Sequence, residues 1–233
     1  NAAASAVVFL PVREYAANSI LGGPGWGLSY DYATNWSLHP LEMTTFFLPS
    51  FVGFGKTSYW GWMPFTDFPH YMGILVLLLA VVAVVLWPRQ RLHLYLLVLA
   101  LLSLVLAFGR HLPFLYNLMF DYFPYFDKFR VPSMILVLLQ FSVAMLAALG
   151  LHRLLQTPPG PEQERVRRVV WITGGAFLAV VALLGGMVAV GGLDGTIEGR
   201  LVARTAAYRL TEAQQAAFVA EQKPAVVDMV IKD

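Results

Sequence analysis

Of the 233 residues, 58% are hydrophobic and only 13% are charged, and the mean hydropathy is +0.63. Soluble domains carry about a quarter charged residues, and a larger core cannot absorb that deficit, because charge belongs on any water-facing surface. The net charge of +2, from 16 basic and 14 acidic residues with no basic stripe, is no nucleic-acid signature, and the lack of cysteine removes disulfides, thiolate metal sites and cysteine nucleophiles together.

The chain opens on Asn1 and an uncharged apolar run, whereas a signal peptide needs a basic start. Residues 1–10 therefore read as the end of a transmembrane helix that begins upstream. Residues 226–233 read as the approach to further chain, so the sequence is expected to be a piece of a longer protein. Residues 11–70 form a loop region rich in Gly, Pro and aromatics, with Trp26, Trp36, Trp60 and Trp62 set among Phe46, Phe47, Phe51 and Phe54. Such rings favour a membrane–water interface, where an apolar body and a polar tip are both satisfied. A short helix is expected over 40–48, with Pro40 in its first turn and Glu42 favoured by the helix dipole. Pro49 and Gly53 would end it. Residues 60–65 read as turn and loop.

Residues 71–193 hold four apolar segments: 71–87, 92–108, 131–151 and 169–193. Crossing about 30 Å of hydrocarbon takes about 20 residues at a helical rise of 1.5 Å, so each segment is read as a transmembrane helix. In the last of them, Gly174, Gly175, Gly185 and Gly186 are small-residue contact points for a neighbouring helix. Arg89 and Arg91 lie between the first two spans. Arg153, Arg165, Arg167 and Arg168 lie between the last two, in a linker made irregular by Pro158, Pro159, Gly160 and Pro161. If the spans alternate, both basic connections fall on one side, which the positive-inside rule makes cytoplasmic. The loops at 11–70 and 109–130 and the tail at 194–233 then lie outside. In the tail, Thr211 and Gln214 resemble a capping box opening a helix that Pro224 would stop.

The densest chemistry lies in 109–130, where aromatics alternate with charges at the mouth of two spans. One reading is an interfacial belt with snorkelling cations, and generality favours it. The sharper reading is an anionic-lipid or phosphate site built by Arg110, His111, Lys128 and Arg130. No phosphate-cradling Gly loop, HExxH pair or GxSxG elbow occurs, and the five His show no ligand spacing, so no metal ligands are assigned. No Asp, Glu, Lys or Arg sits mid-span, which disfavours a transporter or flippase.

Several strings recur in a telling order: Leu10-Pro11 with Glu14, then 28–33 (LSYDYA), 36–42 (WSLHPLE), 47–51 (FLPSF) and 59–61 (YWG). They are followed by 71–73 (YMG) opening a span, 107–111 (AFGRH) closing another, and 126–133 (FDKFRVPS) entering a third. Over about residues 10–155 this order resembles the YfhO family of bacterial polytopic membrane proteins, which is similar to the GT-C class of glycosyltransferases. The resemblance implies an all-α integral membrane bundle of the bacterial inner membrane, with aromatic-rich extracytoplasmic loops. It also implies transfer of a sugar from a polyprenyl-phosphate donor to a cell-surface acceptor on the outer face. In that class the catalytic acid sits in the first outer loop, often with a divalent metal; here it is expected upstream of Asn1, so no catalytic residue is assigned. The resemblance strengthens the phosphate reading of Arg110, Lys128 and Arg130, with Tyr30, Asp31 and Glu42 lining the same cleft. The alternative is a non-catalytic subunit that scaffolds a larger membrane complex with other membrane proteins.

Overall fold

The computed structural model describes residues 6–7, 10–12, 14–15, 28–55, 58–67, 69–87, 90–206 and 211–232. Among these the regular structure is all helical. No strand forms there, and one isolated antiparallel bridge joins Gly55 to Thr66. We label the helices α1 (Tyr30–Ala33), α2 (Ile74–Leu86), α3 (Arg91–Ala107), α4 (Pro113–Tyr122), α5 (Leu136–Gln156), α6 (Pro161–Ala189), α7 (Asp194–Ala206) and α8 (Glu212–Lys232). Most of residues 1–10, and Trp26, Pro88 and Arg89, fall outside the described residues. Residues 10–12 and 14–15 are helical, past the boundary expected at residue 10.

Among the described residues, two helices are long and apolar enough to cross a membrane: α5 with its leading turn, Pro132–Gln156, and α6, Pro161–Ala189. The other two apolar helices, α2 and α3, are shorter, at 13 and 17 residues. α2 starts late because Gly73 takes a positive φ of 87°, which turns the chain into the helix without a side-chain cap. The expected irregular linker before the fourth span is mostly helix. Pro161 occupies the first helical position, where its missing N–H costs nothing, and Glu162 and Glu164 complement the dipole in the first turn. The tail helix opens as expected, with Gln214 N–H donating to Thr211 Oγ1 at 3.4 Å and Thr211 N–H donating to Gln214 Oε1 at 2.9 Å. Pro224 does not stop it. α8 runs on to Lys232, its later turns held by the buried Val226 and Val230 against α7 and α6.

Residues 36–38 bond to both Ala107 and Ser133, which brings the C-terminus of α3 and the N-terminus of α5 to one end. α5 packs along both α2 and α3, and α2 also meets α6. The tightest crossing is at Gly150 of α5, where a Cβ would lie 2.6 Å from the Leu79 carbonyl oxygen and 3.0 Å from Ala83 Cβ. Only glycine allows that approach. The glycines expected to play this part, Gly174, Gly175, Gly185 and Gly186, face open space instead. They lie on α6, whose apolar window is only 6% buried, against 39% for α5.

The described residues of 28–70, with residues 109–133, form a cap tied to the end of α3 by Leu38 N–H donating to Ala107 O and to the lead-in of α5 by Ser133 N–H donating to Trp36 O, and α7 meets it where Arg200 donates to Gly61 O. Its interior is aromatic: Phe51, Tyr59 and Trp60 are 2%, 0% and 1% exposed. The expected helix over 40–48 is a 3-10 helix, Pro40–Phe46. Arg153, Arg165 and Arg167 lie at the opposite end, beside the short connection between α5 and α6.

Candidate functional site

The two loops of the cap are joined strand-wise without forming a sheet. Leu28 N–H donates to Asp127 O at 2.9 Å, Val131 N–H to Ala33 O at 3.2 Å, Ser133 N–H to Trp36 O at 3.2 Å, and Leu38 N–H to Ala107 O at 2.8 Å. These bonds set α1 against residues 127–133, the lead-in to α5.

Glu42 is the polar centre of the cap. It is 2% exposed, and it lies inside rather than along a cleft wall. Its Oε1 accepts from the Tyr59 hydroxyl and from Trp62 N–H at 2.8 Å, while Oε2 accepts from His39 N–H at 3.0 Å. Tyr59 in turn accepts from Met63 N–H at 2.9 Å. Burial, reinforced by the Glu42 carboxylate, pushes the Tyr59 hydroxyl well above its usual range, so it stays a donor. Gly61 makes room for this arrangement, since a Cβ there would collide with both Glu42 Oε1 and the Tyr59 hydroxyl.

The three cations and the histidine expected to converge on a phosphate are divided among separate tasks. Arg110 closes α1: Nε donates to Thr34 O at 3.0 Å, and Nη2 donates to Asp31 O at 3.0 Å and Asn35 Oδ1 at 2.9 Å. A cation bonded to the last carbonyls of a helix is a C-terminal cap. Lys128 pairs with its neighbour Asp127 at 3.1 Å. His111 turns towards His39, ring centroids 4.8 Å apart and nearly perpendicular. Arg130 lines a cavity: Nη1 donates to the Tyr32 hydroxyl at 2.6 Å, with the guanidinium 5.8 Å above the Tyr32 ring.

That cavity holds about 370 Å³, and its walls are Leu106, Tyr116, Phe126, Phe129, Met134 and Ile135, with Arg130 as the charged member. Val131, next to Arg130 in the same wall, has φ 64° and ψ 73°. A β-branched residue in the left-handed region is strained by about 1–3 kcal/mol, and such strain gathers where a backbone must present a ligand-facing group. Burial raises the Tyr116 hydroxyl to about 12 and also raises Tyr30, against the opposing pull of Arg110 and with Asp121 and Asp31 adding to the rise. Tyr30 packs edge-on to Tyr116 and Phe120, so of the three expected cleft residues it is the one nearest this wall. Asp31 is exposed and meets Arg110 through its backbone carbonyl. A larger groove of about 520 Å³ lies at the far end between α5 and α6, where Arg167 is paired with Glu164 at 3.3 Å. Among the described residues no three His, Asp or Glu side chains gather as a metal site would require.

Several residues of this region carry no motif. His39 stacks on Trp62 at 3.7 Å with an 8° tilt, and the face-to-face fit shields one face of the half-buried imidazole from water. Burial first, then His111 and Arg200, lower its pKa to about 4. Arg200 and Arg204, one turn apart on α7, lie 4.9 Å over Trp62 and 4.9 Å over Tyr59, and Arg200 Nη2 donates to Gly61 O at 2.8 Å. Their four-residue spacing was the one signal that α7 seats on an aromatic surface. No protein-family model, curated protein or solved structure matches the chain.

Proposed function

We propose that the chain is part of a polytopic bacterial inner-membrane protein that transfers a sugar from a polyprenyl-phosphate donor to a cell-surface acceptor, at the capped end of its helices. The observation that carries this reading is the Arg130 cavity. Its walls are aromatic and aliphatic, with one guanidinium among them, and it lies against the ends of α3 and α5. A prenyl phosphate is an apolar chain ending in an anion, so wall and cation suit its two parts. The mean hydropathy of +0.63 and the two long apolar helices support the membrane placement. They support four spans if α2 and α3 are completed by flanking turns and the bilayer thins around them.

In the transfer, the bond from sugar C1 to the phosphate oxygen breaks and its electron pair stays on the lipid phosphate, whose charge Arg130 would hold. The acceptor oxygen bonds to C1 and gives its proton to a base. The similarity to the YfhO family and to GT-C enzymes supplies this reaction. No acid of the described residues is assigned as the base.

The test uses the full-length protein in proteoliposomes with radiolabelled polyprenyl-phosphate sugars. Arg130→Gln is expected to weaken donor binding about tenfold or more, the loss of one charge-assisted pair. Unchanged binding and transfer in that variant would remove Arg130 from the site. The nearly uncovered face of α6 favours a second reading, a non-catalytic subunit that scaffolds a larger membrane complex. Constant co-purification with a fixed membrane partner and no transfer from any donor would select it.

A further inference from the structure

The seat of α7 on the cap gathers basic groups that the donor cavity does not use. His39 and His111 meet edge to face, and Arg200 lies against Trp62, the ring on which His39 stacks. The acids of the neighbourhood are committed elsewhere. Glu42 accepts three hydrogen bonds inside the cap, and Glu198 on α7 is bridged by Lys223 at 2.7 Å, as is Asp194 at 2.6 Å. Arg200 Nε is buried and has no hydrogen-bond partner. A buried guanidinium N–H without an acceptor is uncommon, and an ion that belongs beside it is one physical reason for such an orphan. His39 Nδ1 already accepts from Leu41 N–H at 3.2 Å, so in the neutral ring the proton sits on Nε2, leaving that side as a donor.

We propose that His39, His111 and Arg200 form a binding site for a phosphate-class oxyanion, one that shares no residue with the Arg130 cavity. A tetrahedral oxyanion accepts from several donors at once, and Arg200 Nε and the two imidazoles, linked through the Trp62 ring that Arg200 and His39 share, supply that chemistry. Both histidines are held below their ordinary pKa, by burial first and then by His111 and Arg200 for His39, and by Arg110 and Arg200 for His111. An anion between them offsets that positive surrounding, so it raises both values and binds more tightly as pH falls towards 6. Arg200 Nε is covered in the unliganded arrangement. Binding therefore exchanges ring contacts at Trp62 for hydrogen bonds, and His111, which is exposed, is the side chain whose rotation admits the ligand. The anion can be a free phosphate ester or a lipid headgroup, because both present the same oxygens. The site does not depend on the transferase reading, and it stands or falls without it.

The test follows the five His ring resonances of the full chain in detergent micelles, assigned through single His→Gln variants. Inorganic phosphate is titrated in one arm. In a second arm the chain is placed in nanodiscs of phosphatidic acid and in nanodiscs of phosphatidylcholine. The expected result is that the titration midpoints of His39 and His111 rise by about one pH unit or more while His70, His93 and His152 do not move. A rise with inorganic phosphate identifies a soluble ester as sufficient, and a rise only with phosphatidic acid identifies a headgroup. Arg200→Gln must abolish the rise; if that variant does not fold, His111→Gln must abolish it at His39. No rise in either arm, or the same rise in these variants, overturns the proposal.

Discussion

The cap and α6 invert the usual relation between regular structure and burial. The cap is mostly turns and short 3-10 helices, yet Leu38, Tyr59 and Trp60 are 0%, 0% and 1% exposed. α6 is the longest helix among the described residues, yet Trp171, Leu178 and Leu183 are 76%, 70% and 64% exposed. In one solvent these two halves would be inconsistent. They are consistent if α6 faces lipid, where an apolar side chain has nothing to gain by hiding. The cap would then face water and need an interior of its own.

The largest expected effect sharpens the cap side of this comparison. Glu42→Ala leaves the Tyr59 hydroxyl, Trp62 N–H and His39 N–H without their acceptor. At about 1–3 kcal/mol for each of these three orphaned groups, the cap should lose roughly 3–9 kcal/mol of stability. Thermal unfolding in detergent, followed by tryptophan fluorescence, measures this. Gly61→Ala should do comparable damage through the same carboxylate, while Glu42→Gln, which keeps an acceptor and the shape, should lose less.

The next effect probes the α6 side. Leu178→Asp places a charge mid-helix, which costs about 2.5–3.5 kcal/mol for insertion into a bilayer. An insertion assay should show loss of membrane integration with little change in the melting of cap tryptophans. If α6 were a water-facing helix, the same change would be neutral or would improve solubility.

A pH profile gives a smaller, directional test. His39 is neutral in the folded cap, with a pKa of about 4 against 6.5 for a free histidine. Between those values the unfolded chain binds more protons, so the stability that His39 contributes is complete above pH 6.5 and is lost as pH falls towards 4. His39→Gln should flatten that part of the profile. A profile unchanged by the substitution would mean that the ring is not desolvated by its stack on Trp62.

The smallest effect concerns Val131. Val131→Gly releases the left-handed strain and should stabilise the chain by about 1 kcal/mol, less the added entropy of the unfolded glycine. If the strain presents Arg130 to its cavity, donor affinity should fall even as the melting temperature rises.

How much of this was legible follows from the range of the interactions involved. The all-α class and the apolar helices rest on composition and local runs, and both are readable. The capping box at Thr211 is local too, and it formed as expected. Pro224 misled because one missing N–H is tolerable where Val226 and Val230 pack the turns that follow it. The α6 glycines misled because a small-residue stripe states only that a helix can be approached closely, whereas Gly150, a single glycine, is where the approach occurs. Residues 109–130 read as chemically dense, and the structure divides their cations and histidine among α1, Asp127, His39 and the cavity. Apart from the Lys128–Asp127 pair of neighbours, that division depends on contacts 70 or more residues distant in sequence, such as Arg110 to Thr34, which no spacing rule reports. Arg200 to Gly61 spans a separation of 139 residues and was invisible for the same reason.

The central claim is that α5 and α6 cross a bilayer with the cap on its outer side, and the lack of native cysteine allows a direct test. Single cysteines are placed at Asp67 in the cap, at Leu178 in α6 and at Arg165 near the basic end, and cells are treated with a membrane-impermeant maleimide. The expected result is that position 67 reacts in intact cells, position 165 reacts only after permeabilisation, and position 178 stays unreactive until the membrane is dissolved. Equal and immediate labelling of all three in the soluble fraction would contradict the claim.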